Sequence, residues 1–203
     1  MRVLLFGHSY VNHLRELNNW DRELTLSDNS KINIEFLFKG YAGKDFKYLL
    51  DHDGTFNVIR EQQPDAIVVI LGGNSINNLY TNQQIKSLSF RFFRKLNNIV
   101  SQECIRFVVQ VEPRYCQAGN PFGTPTYREF ERRRTVINNH FNKDLKRFGL
   151  IDRVVLLGSV RYLNRPEHFK DGVHLKAEGL GLYQKAVVGA IQLHLNKQLE
   201  VQE

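Results

Sequence analysis

Short apolar runs alternate along this chain with longer stretches in which apolar residues recur every three or four positions. Val3-Leu4-Leu5-Phe6 opens the pattern and predicts a strand over residues 2–6. Ile32–Phe38 alternates and then turns apolar, as a strand does. Asp65–Leu71 contains the β-branched run Ile67-Val68-Val69-Ile70, the signature of a strand covered on both faces of a parallel sheet. Ile105–Val111, followed by Pro113, and the short Val154–Leu157 predict two more strands. Between them the spacing predicts helices over about 10–19, 44–51, 82–100 and 126–148, and a closing helix over about 176–198.

Strands that alternate with helices predict an α/β fold. Right-handed crossovers then make a three-layer α/β/α sandwich around a central, mostly parallel sheet of about five strands. The length of 203 residues suits a single domain spanning 1–203, and no repeat, low-complexity tract or linker divides it. Ligands in such sheets bind beyond the carboxyl ends of the strands. Ser9, Gly43 and Asn74 each follow a predicted strand, so one edge of the sheet is expected to carry all three.

Composition narrows the class. A hydrophobic fraction of 42% is that of a globular chain and excludes a disordered one. No apolar run approaches the roughly 20 residues of a membrane span. The N-terminus lacks the basic, apolar and small-residue order of a signal peptide, and the expected location is intracellular. The two cysteines, Cys104 and Cys116, are too few for a disulfide framework and too far apart for a paired metal site, so a reduced, structural role is expected. The net charge of +7 permits attraction to nucleic acid, anionic surfaces or acidic substrates. Its densest cluster, Arg128, Arg132, Arg133 and Arg134, is interleaved with Glu129 and Glu131, which on a helix partly neutralise it. No nucleic-acid-binding motif is recognisable.

The candidate chemistry rests on three residues. A serine hydroxyl is a poor nucleophile until a histidine takes its proton, and that histidine needs a carboxylate to fix its tautomer. Ser9 follows the first predicted strand, and Asp171 and His174 lie three residues apart on the last loop before the closing helix. Donors aimed at the developing oxyanion would be the Ser9 and Gly43 backbone N–H groups and the Asn74 side-chain amide. Each residue also has a plainer role open to it. Ser9 could cap a helix, Gly43 and Asn74 could serve turns (with Gly40 a rival to Gly43), and His174 could be a surface or core histidine. Asp171 could be a loop residue satisfied by backbone donors, and His8 reads as structural rather than as a second active-site base. Tyr10, Tyr41 and Tyr115 could line an acyl pocket or simply pack, and Arg114 reads as a salt-bridge partner rather than a contact for an acidic substrate group.

Four blocks converge on a family. Phe6-Gly7-His8-Ser9, Gly40-Tyr41-Ala42-Gly43-Lys44-Asp45, Leu71-Gly72-Gly73-Asn74 and Asp171-Gly172-Val173-His174 occur in the order of the marker Ser, Gly, Asn and His blocks of the SGNH (GDSL-type) hydrolases, and the chain resembles that family over nearly its whole length. The resemblance implies a flavodoxin-like fold and a serine esterase that cleaves small acyl esters, acetyl esters among them, on small-molecule, carbohydrate or lipid substrates. It implies Ser9, Asp171 and His174 as catalytic residues, Ser9, Gly43 and Asn74 as the oxyanion hole, and neither cofactor nor metal. Two positions depart from the pattern: His8 stands where the family usually has Asp, and Ser75 where it often has Asp. Those departures and the charge keep open a catalytically weakened binding module, such as occurs beside nucleic-acid-binding parts in mobile-element proteins. An acyltransferase using the same acyl-enzyme is the third reading.

Overall fold

The structure is a computed structural model and describes residues 1–17, 20, 22–77, 79–115, 126–157, 166–170 and 172–201. Its core is a sheet of five parallel strands: β1 (Arg2–Gly7), β4 (Glu35–Gly40), β5 (Ala66–Ile70), β6 (Ile105–Val109) and β7 (Arg153–Val155). The spatial order is β4-β1-β5-β6-β7, and a two-stranded antiparallel ribbon of β2 (Glu23–Thr25) and β3 (Lys31–Asn33) stands apart from it. The helices are α1 (Ser9–Arg15), α2 (Phe46–Asp51), α3 (Gly54–Gln62), α4 (Asn82–Asn97), α5 (Tyr127–His140) and α6 (Ala177–Leu199). This is the α/β architecture expected from the alternating pattern.

Strand periodicity sorts the core into two layers. Leu4 and Phe6 of β1 face Phe46, Phe56, Phe92 and Phe130 on one side. Val3 and Leu5 face the opposite side, with Tyr10 and Leu14 of α1 and Tyr183, Val187 and Ile191 of α6. Both faces of β1 and β5 are buried, so an apolar run without alternation is what such strands require. Each fully buried Leu, Ile or Phe contributes about 1.5–3 kcal/mol through removal of apolar surface from water.

Several boundaries differ from the sequence expectation. The run 32–38 is broken at Ile34, whose N–H bonds to Arg22 O at 2.6 Å, so its first half pairs in the ribbon and its second half joins the sheet. Helix α2 begins at Phe46 rather than 44 because the Asp45 carboxylate accepts from Tyr48 N at 2.8 Å. Helix α3 was hidden by the turn-like Asp51-His52-Asp53-Gly54 that precedes it. The long helix begins at Tyr127 and passes into a π-helical turn at Phe141–Leu145. The Gly- and Pro-rich segment 116–125, with Cys116, lies outside the described residues.

The strand order reverses between β1 and β5, which is the topological switch point where an open α/β sheet leaves a crevice at its carboxyl edge. Ser9 follows β1 directly, and Asn74 follows β5 in the 3-10 turn Gly73–Ser75. No helix among the described residues is long and apolar enough to cross a membrane.

Candidate active site

Ser9 is the first residue of α1, and the cap of that helix is its neighbour. The His8 ring accepts from Tyr10 N through Nδ1 at 3.4 Å. The capping role open to Ser9 in the sequence is thus taken by His8, and the Ser9 hydroxyl turns elsewhere. Its Oγ lies 3.3 Å from Nε2 of His174, across 165 residues of chain. Both side chains are half-buried.

The loop that carries His174 is held by bonds on several sides. Phe169 and Leu175 form an antiparallel bridge, and Lys170 N donates to His174 O at 2.8 Å. Tyr10 of α1 donates its hydroxyl to Val173 O, and Tyr115 N donates to Gly172 O at 2.6 Å. Tyr10 is fully buried and stacks on Tyr183 at 5.7 Å, while Tyr115 stacks on Tyr127 at 5.2 Å. Tyr10 and Tyr115 therefore support the loop. Tyr41 packs edge-on to Phe6 at 5.7 Å. Asp171 lies outside the described residues. His13, one helical turn beyond Ser9, places its ring edge-on to that of His174 at 5.2 Å. Burial, then the charges of Lys170 and His174, hold His13 below the ordinary histidine range.

The three strand-end loops are laced together. Tyr41 N donates to Gly7 O at 2.8 Å, His8 N donates to Ile70 O at 3.1 Å, and Asn74 Nδ2 donates to Lys44 O at 3.0 Å. Gly43 and Gly40 have distinct reasons to be glycine. Gly43 has φ +70°, a left-handed conformation that a side chain disfavours, and open space around it. Gly40 lets β4 approach α1, since a Cβ there would sit 2.4 Å from Asn12 Oδ1.

Beneath these loops lies a chain of buried polar groups. Arg114 Nη2 donates to Asn74 Oδ1 at 2.8 Å and lies 3.7 Å from Glu112 Oε1. Glu112 Oε1 is in turn 3.5 Å from Nε2 of His8. His8 and Glu112 are each 1% exposed and Arg114 is 8% exposed. Burial lowers the His8 pKa to about 4, outweighing the pull of Glu112. The ring is therefore neutral near pH 7, which agrees with a structural role. Ser75, the second departure from the family pattern, is fully buried and accepts from Phe46 N at 3.5 Å, tying the start of α2 to the turn after β5. Sequence reading found Arg114 as an ion-pair partner, but the bond to Asn74 spans 40 positions and leaves no local signal.

A Ser-His-Asp array does occur elsewhere in the structure. Ser89 Oγ lies 3.0 Å from Nε2 of His140, and His140 Nδ1 lies 2.7 Å from Asp144 Oδ2. Ser89 sits mid-helix in α4, is fully buried, and also donates to Lys86 O at 2.8 Å. No substrate carbonyl can reach it, so good internal geometry alone does not make a nucleophile. Cys104 is buried, and burial raises its thiol to about 11, which makes it unreactive. Among the described residues no group of three His, Cys, Asp or Glu could hold a metal ion.

No protein-family model and no curated protein matches the sequence. Solved structures do match its fold. A lipase/acylhydrolase from Enterococcus faecalis superposes with a TM-score of 0.66 at 15% identity, covering 95% of this chain and 96% of that one. A GDSL-like lipase from Bacteroides thetaiotaomicron gives 0.62 at 16% identity, covering 95% and 88%. An acetylxylan esterase from Geobacillus stearothermophilus gives 0.57 at 12% identity, covering 92% of each chain. The fold implied by the four sequence blocks, that of the SGNH (GDSL-type) hydrolases, is the fold this chain has.

Proposed function

We propose that the protein is a serine esterase that cleaves small acyl esters through an acyl-Ser9 intermediate. The observation that carries this reading is the 3.3 Å approach of Ser9 Oγ to His174 Nε2 at the switch-point edge of the sheet. In acylation, Nε2 of His174 takes the hydroxyl proton as Oγ forms a bond to the ester carbonyl carbon. The carbonyl π electrons move onto oxygen. They return as the bond to the leaving alkoxide breaks, and the imidazolium gives that alkoxide its proton. Water, deprotonated by the same ring, then releases the acid and restores Ser9. Asp171 is assigned to the far ring nitrogen.

The oxyanion is assigned to three donors. As the first residue of α1, Ser9 has a backbone N–H with no acceptor inside the helix. Gly43 presents its N–H from a loop without a side chain. An amide nitrogen carries two hydrogens; Lys44 O engages one on Asn74, and the second serves the oxyanion. One such side-chain donor is worth about 3–4 kcal/mol in the transition state. Esterase neighbours, acetylxylan esterases among them, favour a short acyl group. An acyltransferase would share every step except the final acceptor.

Purified protein should cleave an activated acetyl ester such as 4-nitrophenyl acetate, and Ser9→Ala should reduce the rate to background. Equal rates for the two proteins would eliminate the proposal.

A further inference from the structure

At the end of the sheet opposite Ser9, a cavity of about 700 Å³ opens beside β4. It starts at the amino ends of β1 and β4, near Arg2 and Glu35, and runs along β4 as far as Phe38. Its apolar wall is aromatic. Trp20 lies 4.6 Å from Phe36 and 5.2 Å from Phe38, ring centre to ring centre, and all three are half-buried. The indole N–H donates to Leu14 O at 2.9 Å, which fixes the ring against the end of α1.

The rim is cationic. Arg2, Arg15 and Arg22 line the cavity, against Glu35 as the acid among its described lining residues. The Arg2 guanidinium is anchored by a 3.0 Å bond to Gln63 O. Among the described residues, the acids next to the other two in sequence face other side chains: Glu16 lies 3.9 Å from His13 and Glu23 lies 2.8 Å from Lys31; Asp21, which precedes Arg22, lies outside the described residues. Trp20, Phe36 and Phe38 pack against the core layer of α1 and α6 and keep part of their surface open. Here three arginines edge a partly open aromatic wall on a chain of net charge +7.

Guanidinium groups neutralise phosphates, and aromatic faces stack bases whatever their identity. We infer that this cavity is a binding site for single-stranded nucleic acid, with bases against Trp20 and the aromatic pair of β4 and phosphates along Arg2, Arg15 and Arg22. A duplex hides its base faces and cannot use the wall. The site is separate from the catalytic edge and does not depend on the esterase reading.

Trp20 is the single tryptophan of the chain, so its fluorescence reports on this cavity alone. The experiment titrates the whole protein with oligothymidylate of about 15 nucleotides. Stacking should quench the tryptophan emission. Three phosphate contacts should lower the affinity about 20-fold between roughly 50 and 200 mM salt. The exposed double variant Arg15→Ala/Arg22→Ala should bind at least tenfold more weakly and lose most of the salt dependence while cleaving acetyl ester normally. Ser9→Ala should bind as the parent does, so loss of esterase activity and loss of binding are read separately. Absent quenching at low salt, undiminished binding by the arginine variant, or equal affinity for a duplex of the same length would each overturn the inference.

Discussion

Arg114 donates from Nη2 to Oδ1 of Asn74 at 2.8 Å, and this bond sets which way the amide faces. A guanidinium can only donate, so the oxygen must point toward it and the nitrogen toward Lys44 and the crevice. Gly73 makes the approach possible, because a Cβ there would lie 2.5 Å from Arg114 Nη2. The oxyanion role assigned to Asn74 therefore depends on a side chain that need not touch the substrate.

Replacing Arg114 with Met should lower kcat for an acetyl ester by about 10- to 100-fold with KM little changed, a part of what losing a whole donor costs. Glu112 would then be a buried carboxylate without its counter-charge, and removing one partner of a buried pair destabilises by about 3–5 kcal/mol. The double variant Arg114→Met/Glu112→Gln should recover most of that stability in urea unfolding but not the lost kcat. Recovery of both together would mean that Arg114 acts on stability alone.

His8 predicts an acid-sensitive fold. Its folded pKa of about 4 lies below the ordinary value near 6.5, so between those pH values the unfolded chain binds a proton that the folded chain refuses. Stability from this residue is complete above about pH 6.5 and is lost as pH falls toward 4, by up to about 3 kcal/mol. Urea midpoints measured from pH 7.5 down to 5 should fall more steeply for the parent than for His8→Gln. His13, His140 and His194 are also held low by burial, so the comparison, rather than the parent curve alone, isolates His8. Parallel curves would remove the assignment.

Ser89 provides a geometric control. Ser89→Ala breaks its bond to His140 and should cost about 1 kcal/mol of stability, yet leave ester cleavage unchanged. Loss of activity at constant stability would shift the nucleophile away from Ser9.

The parallel sheet was legible because its strands are buried on both faces, so Val3–Phe6, Ile67–Ile70 and Phe107–Val109 read as unbroken apolar runs. The ribbon was not, because a three-residue strand such as Glu23–Thr25 is too short for a period to emerge. Ser9 reads as a residue at a strand end and His174 as one on the loop before the closing helix, and topology accounts for their meeting: β1 is an inner strand, and α6 packs over it from the far end of the chain. The His8, Glu112, Arg114 and Asn74 series escaped because its links cross from β1 to β6 to β5. No local spacing encodes a side-chain bond between strands.

The most direct measurement is labelling with a fluorophosphonate, which needs no knowledge of the substrate. The account predicts one adduct, found by mass spectrometry on the peptide containing Ser9, much slower to form in His174→Ala and absent in Ser9→Ala. An unlabelled parent protein, or an adduct at any other residue, would contradict it.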